Sequence, residues 1–130
     1  KYALITFLNK PFFGYGIDKY SYIDMNLVPD IIFDTIISAH NGYLALLVQF
    51  GMIFGGAILF IIVRQSFLNI KRFFLEKNSN ITFYLFVLIF GLLTSFFETL
   101  ITGINEFHTI LFLFSLAILN FSYYESSDNK

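Results

Sequence analysis

The residues of this sequence best suited to chemistry are two histidines and two glutamates beside apolar runs: His40, Glu98, Glu106 and His108. A histidine at such a place can act as a general base, because its imidazole gains and loses a proton near neutral pH. His40 stands directly before a long apolar run, and Glu98 directly follows another. His40 is therefore either a catalytic group held at the mouth of a helix or an interfacial side chain with no chemical task.

Other kinds of site are not supported by the spacing of these residues. The sequence has no His-Glu-x-x-His pattern and no cysteine, so no metal ligand set is predicted. Ser38 lies two residues before His40 without a nucleophile elbow, so a serine triad is not predicted either. The Pro11–Gly16 segment, PFFGYG, lacks the third glycine of a dinucleotide fingerprint. We therefore expect no metal and no cofactor.

Composition places the chain in a membrane. Of its 130 residues, 57% are hydrophobic and 13% are charged, whereas soluble domains carry about 25% charged residues. The net charge is −1, and there is no broad basic patch, so nucleic acid is not an expected partner. The lipid bilayer is an expected partner.

Three apolar runs approach the roughly 20 residues that a helix needs to cross a bilayer: 42–63, 81–97 and 107–124. The sequence therefore predicts an all-α, polytopic transmembrane helical bundle with three complete spans. Within the intervening loop, 64–80, apolar residues recur at helical spacing and predict a short interfacial helix. The polar tail, 125–130, is expected to be cytoplasmic and disordered.

Residues 1–41 are expected to form the end of a preceding helix and an outer polar loop, in the C-terminal part of a larger membrane protein. Gly14 and Gly16 follow a proline and predict a turn with positive backbone angles. Gly51 and Gly55 lie four residues apart, a spacing that lets a second helix approach closely. These four glycines are the predicted turn and packing positions.

Basic residues predict the orientation. The loop 64–80 carries Arg64, Lys71, Arg72 and Lys77, whereas the turn after Glu98 carries no Lys or Arg. Basic residues in short loops favour the cytoplasmic side. We therefore expect His40 and the glutamates on the outer face and the chain's C-terminus in the cytoplasm.

Two motifs of the chain resemble those of a known protein family. The run from His40 to Gly51 resembles the signature of the bacterial O-antigen ligase and O-antigen polymerase family: His, then Asn, Ser or Gln, nine residues, Gly, two residues, and Gly, Thr or Tyr. His40, Asn41 and Gly51 match, whereas Phe54 departs from the last position and Gly55 follows it at once. The upstream Pro11–Gly16 segment resembles the family's Pro-x-x-Gly-x-Gly turn.

The resemblance implies a metal-independent glycosyltransferase of the bacterial cytoplasmic membrane, multi-pass, with His40 as the catalytic base on its outer face. Its partners would be a polyprenyl-diphosphate-linked oligosaccharide donor, a glycan acceptor, and a chain-length regulator or flippase. The residues expected to bind substrate are Asn41, Glu98, Lys10 and Lys19. Arginines that hold the diphosphate would lie before Lys1.

Polymerisation of polysaccharide repeat units is the preferred function. Ligation of the glycan to lipid A core or to protein uses the same histidine and stays open. A non-enzymatic transport or assembly module is the alternative of another class. Transporters tend to carry charged residues within their spans or broken helices, and the three runs hold no Asp, Glu, Lys or Arg.

Overall fold

The computed structural model describes residues 2–17, 26, 40–76, 81–102 and 107–128, and their regular structure is entirely helical. Most of the predicted outer loop, with Lys19, lies outside these residues, and so does Glu106. The elements in chain order are α1 Tyr2–Asn9, α2 Gly42–Phe50, a π-helical turn Gly51–Gly55, α3 Gly56–Glu76, α4 Thr82–Thr94 and α5 Phe107–Asp128. The all-α class predicted from the sequence is confirmed.

In this part of the chain, one helical segment is long and apolar enough to cross a membrane. It runs from Gly42 to Leu75 through α2 and α3, and an 18-residue stretch within it has a mean hydropathy of 2.5. It qualifies by length and composition, a test that the core helix of a soluble protein also passes. The apolar helices Thr82–Thr94 and Phe107–Ser122 are shorter than the roughly 20 residues of a full span. The structure thus gives one candidate span where the sequence predicted three.

Helix α4 stops short of the predicted end of its run because the following residues serve another contact. The Ser95 hydroxyl donates to the Gly91 carbonyl at 2.7 Å. The Ser95 and Phe96 carbonyls accept hydrogen bonds from the start of α2. Residues that the sequence assigned to a membrane span therefore form a joint between two helix ends.

Two other boundaries differ from the prediction. The predicted interfacial helix within 64–80 is not separate, because α3 continues through it to Glu76. No glycine or proline interrupts the sequence between Ala57 and Glu76, so nothing local ends the helix. The tail predicted to be disordered from residue 125 is helical as far as Asp128.

The main core lies where α4 and α5 pack together. Gly91 of α4 faces the ring of Phe112, and a Cβ atom at Gly91 would collide with that ring. Leu88 and Leu119 are fully buried beside this contact. Gly91, whose spacing from Ser95 repeats the small-residue pattern, is thus the glycine that lets two helices approach.

The helical path is broken at Gly51, where φ is 69° and ψ is −178°. Its amide still donates to the Leu47 carbonyl, but the neighbouring backbone groups bond to the Pro11–Gly16 turn. The four bonds and their lengths are Tyr15 N–H to Val48 C=O, 2.9 Å; Gly16 N–H to Gln49 C=O, 2.8 Å; Met52 N–H to Pro11 C=O, 2.7 Å; Ile53 N–H to Phe12 C=O, 3.3 Å. The turn therefore replaces helical hydrogen bonds that the break removes.

The partner predicted for Gly51 and Gly55 was wrong. A Cβ atom at Gly51 would collide with the backbone of Phe12 and Phe13, in the turn. A Cβ atom at Gly55 would lie 2.9 Å from the Leu46 carbonyl of the preceding helix. The close approach is real, but a backbone turn and a bent helix make it, because the break tilts α2 against the residues that follow.

This geometry predicts that Gly51→Ala destabilises the protein far more than Gly16→Ala. Both glycines have positive φ, 69° and 86°, but nothing lies within 4 Å of a Cβ at Gly16. Gly16→Ala should cost only the backbone strain, roughly 1 kcal/mol, and Gly51→Ala should exceed it severalfold. Unfolding in detergent measures both, and equal losses would show that the turn does not pack against Gly51.

The orientation predicted from the basic residues can be tested at exposed positions. The sequence contains no cysteine, and Lys71 and His108 are both exposed. An impermeant thiol reagent applied to intact cells should label His108→Cys and should label Lys71→Cys only after the cells are opened. The opposite pattern would reverse the orientation.

Candidate functional site

The start of α2 is fixed by Asn41. Its backbone is extended, and its side-chain Oδ1 accepts a hydrogen bond from the Leu44 amide at 2.8 Å. This is a helix N-cap, which satisfies an amide that has no partner within the helix. The same side chain uses Nδ2 to donate to the Phe96 carbonyl at 3.0 Å. Asn41 therefore both begins α2 and ties it to the segment after α4.

Two further bonds join the same helix ends. The Gly42 amide donates to the Ser95 carbonyl at 2.8 Å, and the Tyr43 hydroxyl donates to the Leu92 carbonyl at 2.6 Å. The acceptors lie at the end of α4, where carbonyl groups lack intrahelical donors. We call this joint the rim. It is defined by Asn41, Gly42 and Tyr43 on α2 and by the Leu92, Ser95 and Phe96 carbonyls.

The rim needs a glycine at its centre and an aromatic ring at its edge. A Cβ atom at Gly42 would lie 3.1 Å from the Glu98 carbonyl. The Tyr43 ring packs on the Phe96 ring, with centroids 4.9 Å apart and planes tilted by 59°. The backbone of Glu98, which follows α4, is thereby held against the first turn of α2.

His40 and Glu98 meet at this rim. The imidazole Nδ1 lies 3.8 Å from a carboxylate oxygen of Glu98, and the two side chains are 73% and 63% exposed. The distance is longer than a hydrogen bond, and the contact becomes an ion pair when the imidazole is protonated. The exposure leaves Nε2 accessible to a substrate. The sequence predicted both residues for the site, and the structure brings them together.

The backbone of His40 is unusual. Its φ is 40°, and among the described residues it is the one non-glycine residue with positive φ. This left-handed conformation costs an ordinary residue about 1–2 kcal/mol. Such residues cluster at functional sites, where the surrounding structure holds them. Here the neighbouring Asn41 cap supplies that constraint.

Lys10 is not brought to the His40–Glu98 pair. Its Nζ lies 4.4 Å from the centre of the Tyr15 ring, whose hydroxyl accepts a hydrogen bond from Asn9 at 2.9 Å. Tyr15 is anchored to Val48, seven residues along α2 from Asn41, a helical rise of about 10 Å. Lys10 therefore lies near the helix break at Gly51 and not at the rim.

His108 is exposed in the first turn of α5, where its ring lies beside that of Phe107.

Sequence reasoning missed the role of Tyr43. A tyrosine two residues after the capping asparagine gave a weak signal, because its ring also suits an apolar run.

In the segments that the structure describes, no three histidine, aspartate or glutamate side chains gather as a metal site. The chain matches no family model, no curated protein and no solved structure.

The strained histidine predicts opposite effects of two neighbouring substitutions on stability. His40→Gly removes the backbone strain and should stabilise the protein by up to about 1 kcal/mol. Asn41→Ala removes the cap and the Phe96 bond and should destabilise it by about 1–2 kcal/mol. Thermal unfolding in one detergent compares them. A loss for His40→Gly as large as that for Asn41→Ala would mean that the imidazole itself holds the rim.

Proposed function

We propose that this chain belongs to a membrane glycosyltransferase that polymerises polysaccharide repeat units carried on a polyprenyl diphosphate. His40 is its general base, and the protein is a multi-pass protein of the bacterial cytoplasmic membrane with His40 on the outer face. The observation that carries the proposal is the exposed His40–Glu98 pair, held on a rim of hydrogen bonds at the start of the apolar helix α2.

The membrane setting is supported by the polarity of α3. Ser66 and Asn69 are 1% and 5% exposed, and Asn69 donates to Asn120 of α5 at 3.0 Å. In the same turns Phe67 and Phe74 are 65% and 72% exposed. A helix in water shows the opposite pattern, with apolar residues inside. Polar residues between helices and apolar residues outside are typical of helices in lipid.

Further exposed phenylalanines support a multi-pass arrangement. They lie on the outer sides of both shorter helices, at Phe83, Phe86, Phe90, Phe107, Phe114 and Phe121. Contiguous apolar patches of this kind are rare on soluble monomers and mark surfaces that meet lipid or another protein. Both shorter helices therefore suit an apolar environment as well as the candidate span does.

The proposed reaction follows from the orientation of the imidazole. Nδ1 faces Glu98, so Nε2 is left to take the proton from an acceptor hydroxyl. The hydroxyl oxygen attacks the anomeric carbon of the donor glycan and forms the new glycosidic bond. The bond from that carbon to the diphosphate breaks, and polyprenyl diphosphate leaves with the electron pair. Glu98 orients the ring and stabilises the imidazolium that forms.

Asn41 has a narrower role in this proposal than substrate binding. Both of its side-chain groups are engaged, by Leu44 and by Phe96, so it positions His40 through the backbone. The leaving diphosphate needs cations, for which Lys10 and Lys19 were the candidates from the sequence. Lys10 lies at the helix break, and Lys19 lies outside the described residues.

Two alternatives to a polymerase are a ligase and a transport or assembly module. A ligase that passes the glycan to lipid A core or to protein would use the same base and differ only in its acceptor. A transport or assembly module is favoured by one feature, the broken helix at Gly51, since broken helices are typical of transporters. This feature weakens the sequence argument against a transporter. Glycan transfer by the purified full-length protein separates an enzyme from a transporter.

The proposal predicts that His40→Ala lowers glycan transfer by about 10²–10⁴-fold, because a general base contributes that much to the rate. Glu98→Gln keeps the shape of the side chain but removes its charge, so it should reduce turnover by a smaller factor. The measurement is turnover of a purified polyprenyl-linked donor at equal membrane abundance.

Donor binding is the control for this experiment. His40→Ala should bind the donor as the wild type does, because the base does not hold the diphosphate. A His40→Ala enzyme that keeps more than about a tenth of wild-type turnover would remove the base assignment. A wild-type protein without any transfer, but with uptake or release of glycan in vesicles, would favour the transport module.

A further inference from the structure

The second half of α3 carries a continuous exposed stripe that no other part of the described chain covers. Its residues follow one another at intervals of three, one, three, three and one, which places them on one helical face. They are Arg64, Phe67, Leu68, Lys71, Phe74 and Leu75. All six are exposed, and Phe74 and Leu75 are among the most exposed apolar residues, at 72% and 74%.

The stripe combines two cations with apolar side chains and has no acidic residue. Arg64 and Lys71 are seven residues apart, about 10 Å along the helix. The sequence contains no Asp or Glu between Gly42 and Leu75, so α3 does not neutralise these charges before Glu76. Arg72 points elsewhere and donates to the Ser122 carbonyl of α5. The stripe is therefore a face of its own, separate from the contact with α5.

The place of the stripe in the chain supports a membrane-surface position for this face. The residues from Gly42 to Val63 include no Asp, Glu, Lys or Arg, and the path through them bends at Gly51, where α2 comes back against Gly55. The stripe begins at Arg64, where this apolar run ends. A run that suits the hydrocarbon core therefore passes directly into a helical face with cations, as at the boundary with lipid headgroups.

We propose that the stripe is a binding surface for anionic phospholipids. Arg64 and Lys71 contact the lipid phosphates, and Phe67, Leu68, Phe74 and Leu75 insert among the upper parts of the acyl chains. Long cationic side chains suit this boundary because their stems lie in apolar surroundings while their charges reach the headgroups. Zwitterionic lipids offer no net charge for these cations. The inference rests on the membrane setting in the proposed function and is independent of its chemistry.

The test measures lipid selectivity in the full-length protein reconstituted in phosphatidylcholine bilayers. Spin-labelled phosphatidylglycerol or spin-labelled phosphatidylcholine is added, and the fraction of immobilised label gives their relative association. The wild type should prefer phosphatidylglycerol. Each of Arg64→Gln and Lys71→Gln should lower that preference about fivefold, since one basic residue near the surface contributes roughly that factor. Lys71→Arg keeps the charge and should keep the preference.

Three results would overturn the proposal. They are equal association of both lipids with the wild type, a preference that survives the Arg64→Gln, Lys71→Gln double substitution, and displacement of the lipid by soluble glycerol phosphate at the same concentration. The last would identify a phosphate site instead of a lipid surface. Glycan transfer is assayed on the same samples, so a failed lipid test with intact transfer leaves the proposed function standing. A failed transfer with retained lipid selectivity would count against the proposed function and leave the lipid-binding surface standing.

Discussion

The exchange of backbone hydrogen bonds at Gly51 is the interaction on which this arrangement depends. A helix that breaks in an apolar setting leaves amides and carbonyls without partners, at a cost of several kcal/mol for each group. The Pro11–Gly16 turn satisfies two carbonyls and two amides at the break. Pro11 has no amide hydrogen and contributes only its carbonyl, so the turn begins with an acceptor where an acceptor is needed.

The glycines of the turn and of the helix fit against each other. A Cβ atom at Gly14 would lie 2.5 Å from both the Gln49 carbonyl and the Gly51 amide, and one at Gly51 would meet Phe12. Each glycine therefore makes room for the backbone that the other carries. The Pro-x-x-Gly-x-Gly segment and the glycine ten residues after Asn41 look like two motifs in the sequence, but in the structure they form a single contact.

The helical class was predictable from the sequence, and so was the choice of the residues that form the candidate site. The helical class followed from long apolar runs, and His40, Asn41 and Glu98 were chosen because polar groups stood at the ends of those runs. The break at Gly51 was not predicted, because a glycine in an apolar run is equally consistent with close helix packing. What distinguishes the two is the hydrogen bonding of residues 48 and 49 to a turn more than thirty residues earlier, which no local pattern records.

The predictions for Lys10 and for the end of α4 missed for the same reason. Lys10 was expected to bind substrate because it was predicted to lie on the outer side, whereas its ammonium group lies over Tyr15 at the break. The predicted run extended three residues beyond the end of α4 at Thr94, because Ser95 and Phe96 are as compatible with a span as with a rim. In both cases a long-range contact decided between readings that the local sequence left equal.

Helix α2 is short, nine residues, and both of its ends are fixed. The rim holds its first turn with bonds from Asn41, Gly42 and Tyr43, and the Pro11–Gly16 turn holds its last turn through Val48 and Gln49. At about 1 kcal/mol each, the three rim bonds together contribute about 3 kcal/mol, which exceeds the roughly 1–2 kcal/mol that the left-handed backbone of His40 costs. The rim can therefore hold the strained histidine against Glu98 while both side chains stay open to solvent. A short helix fixed at both ends keeps that geometry better than a free loop would, since rigid elements position reacting groups more closely.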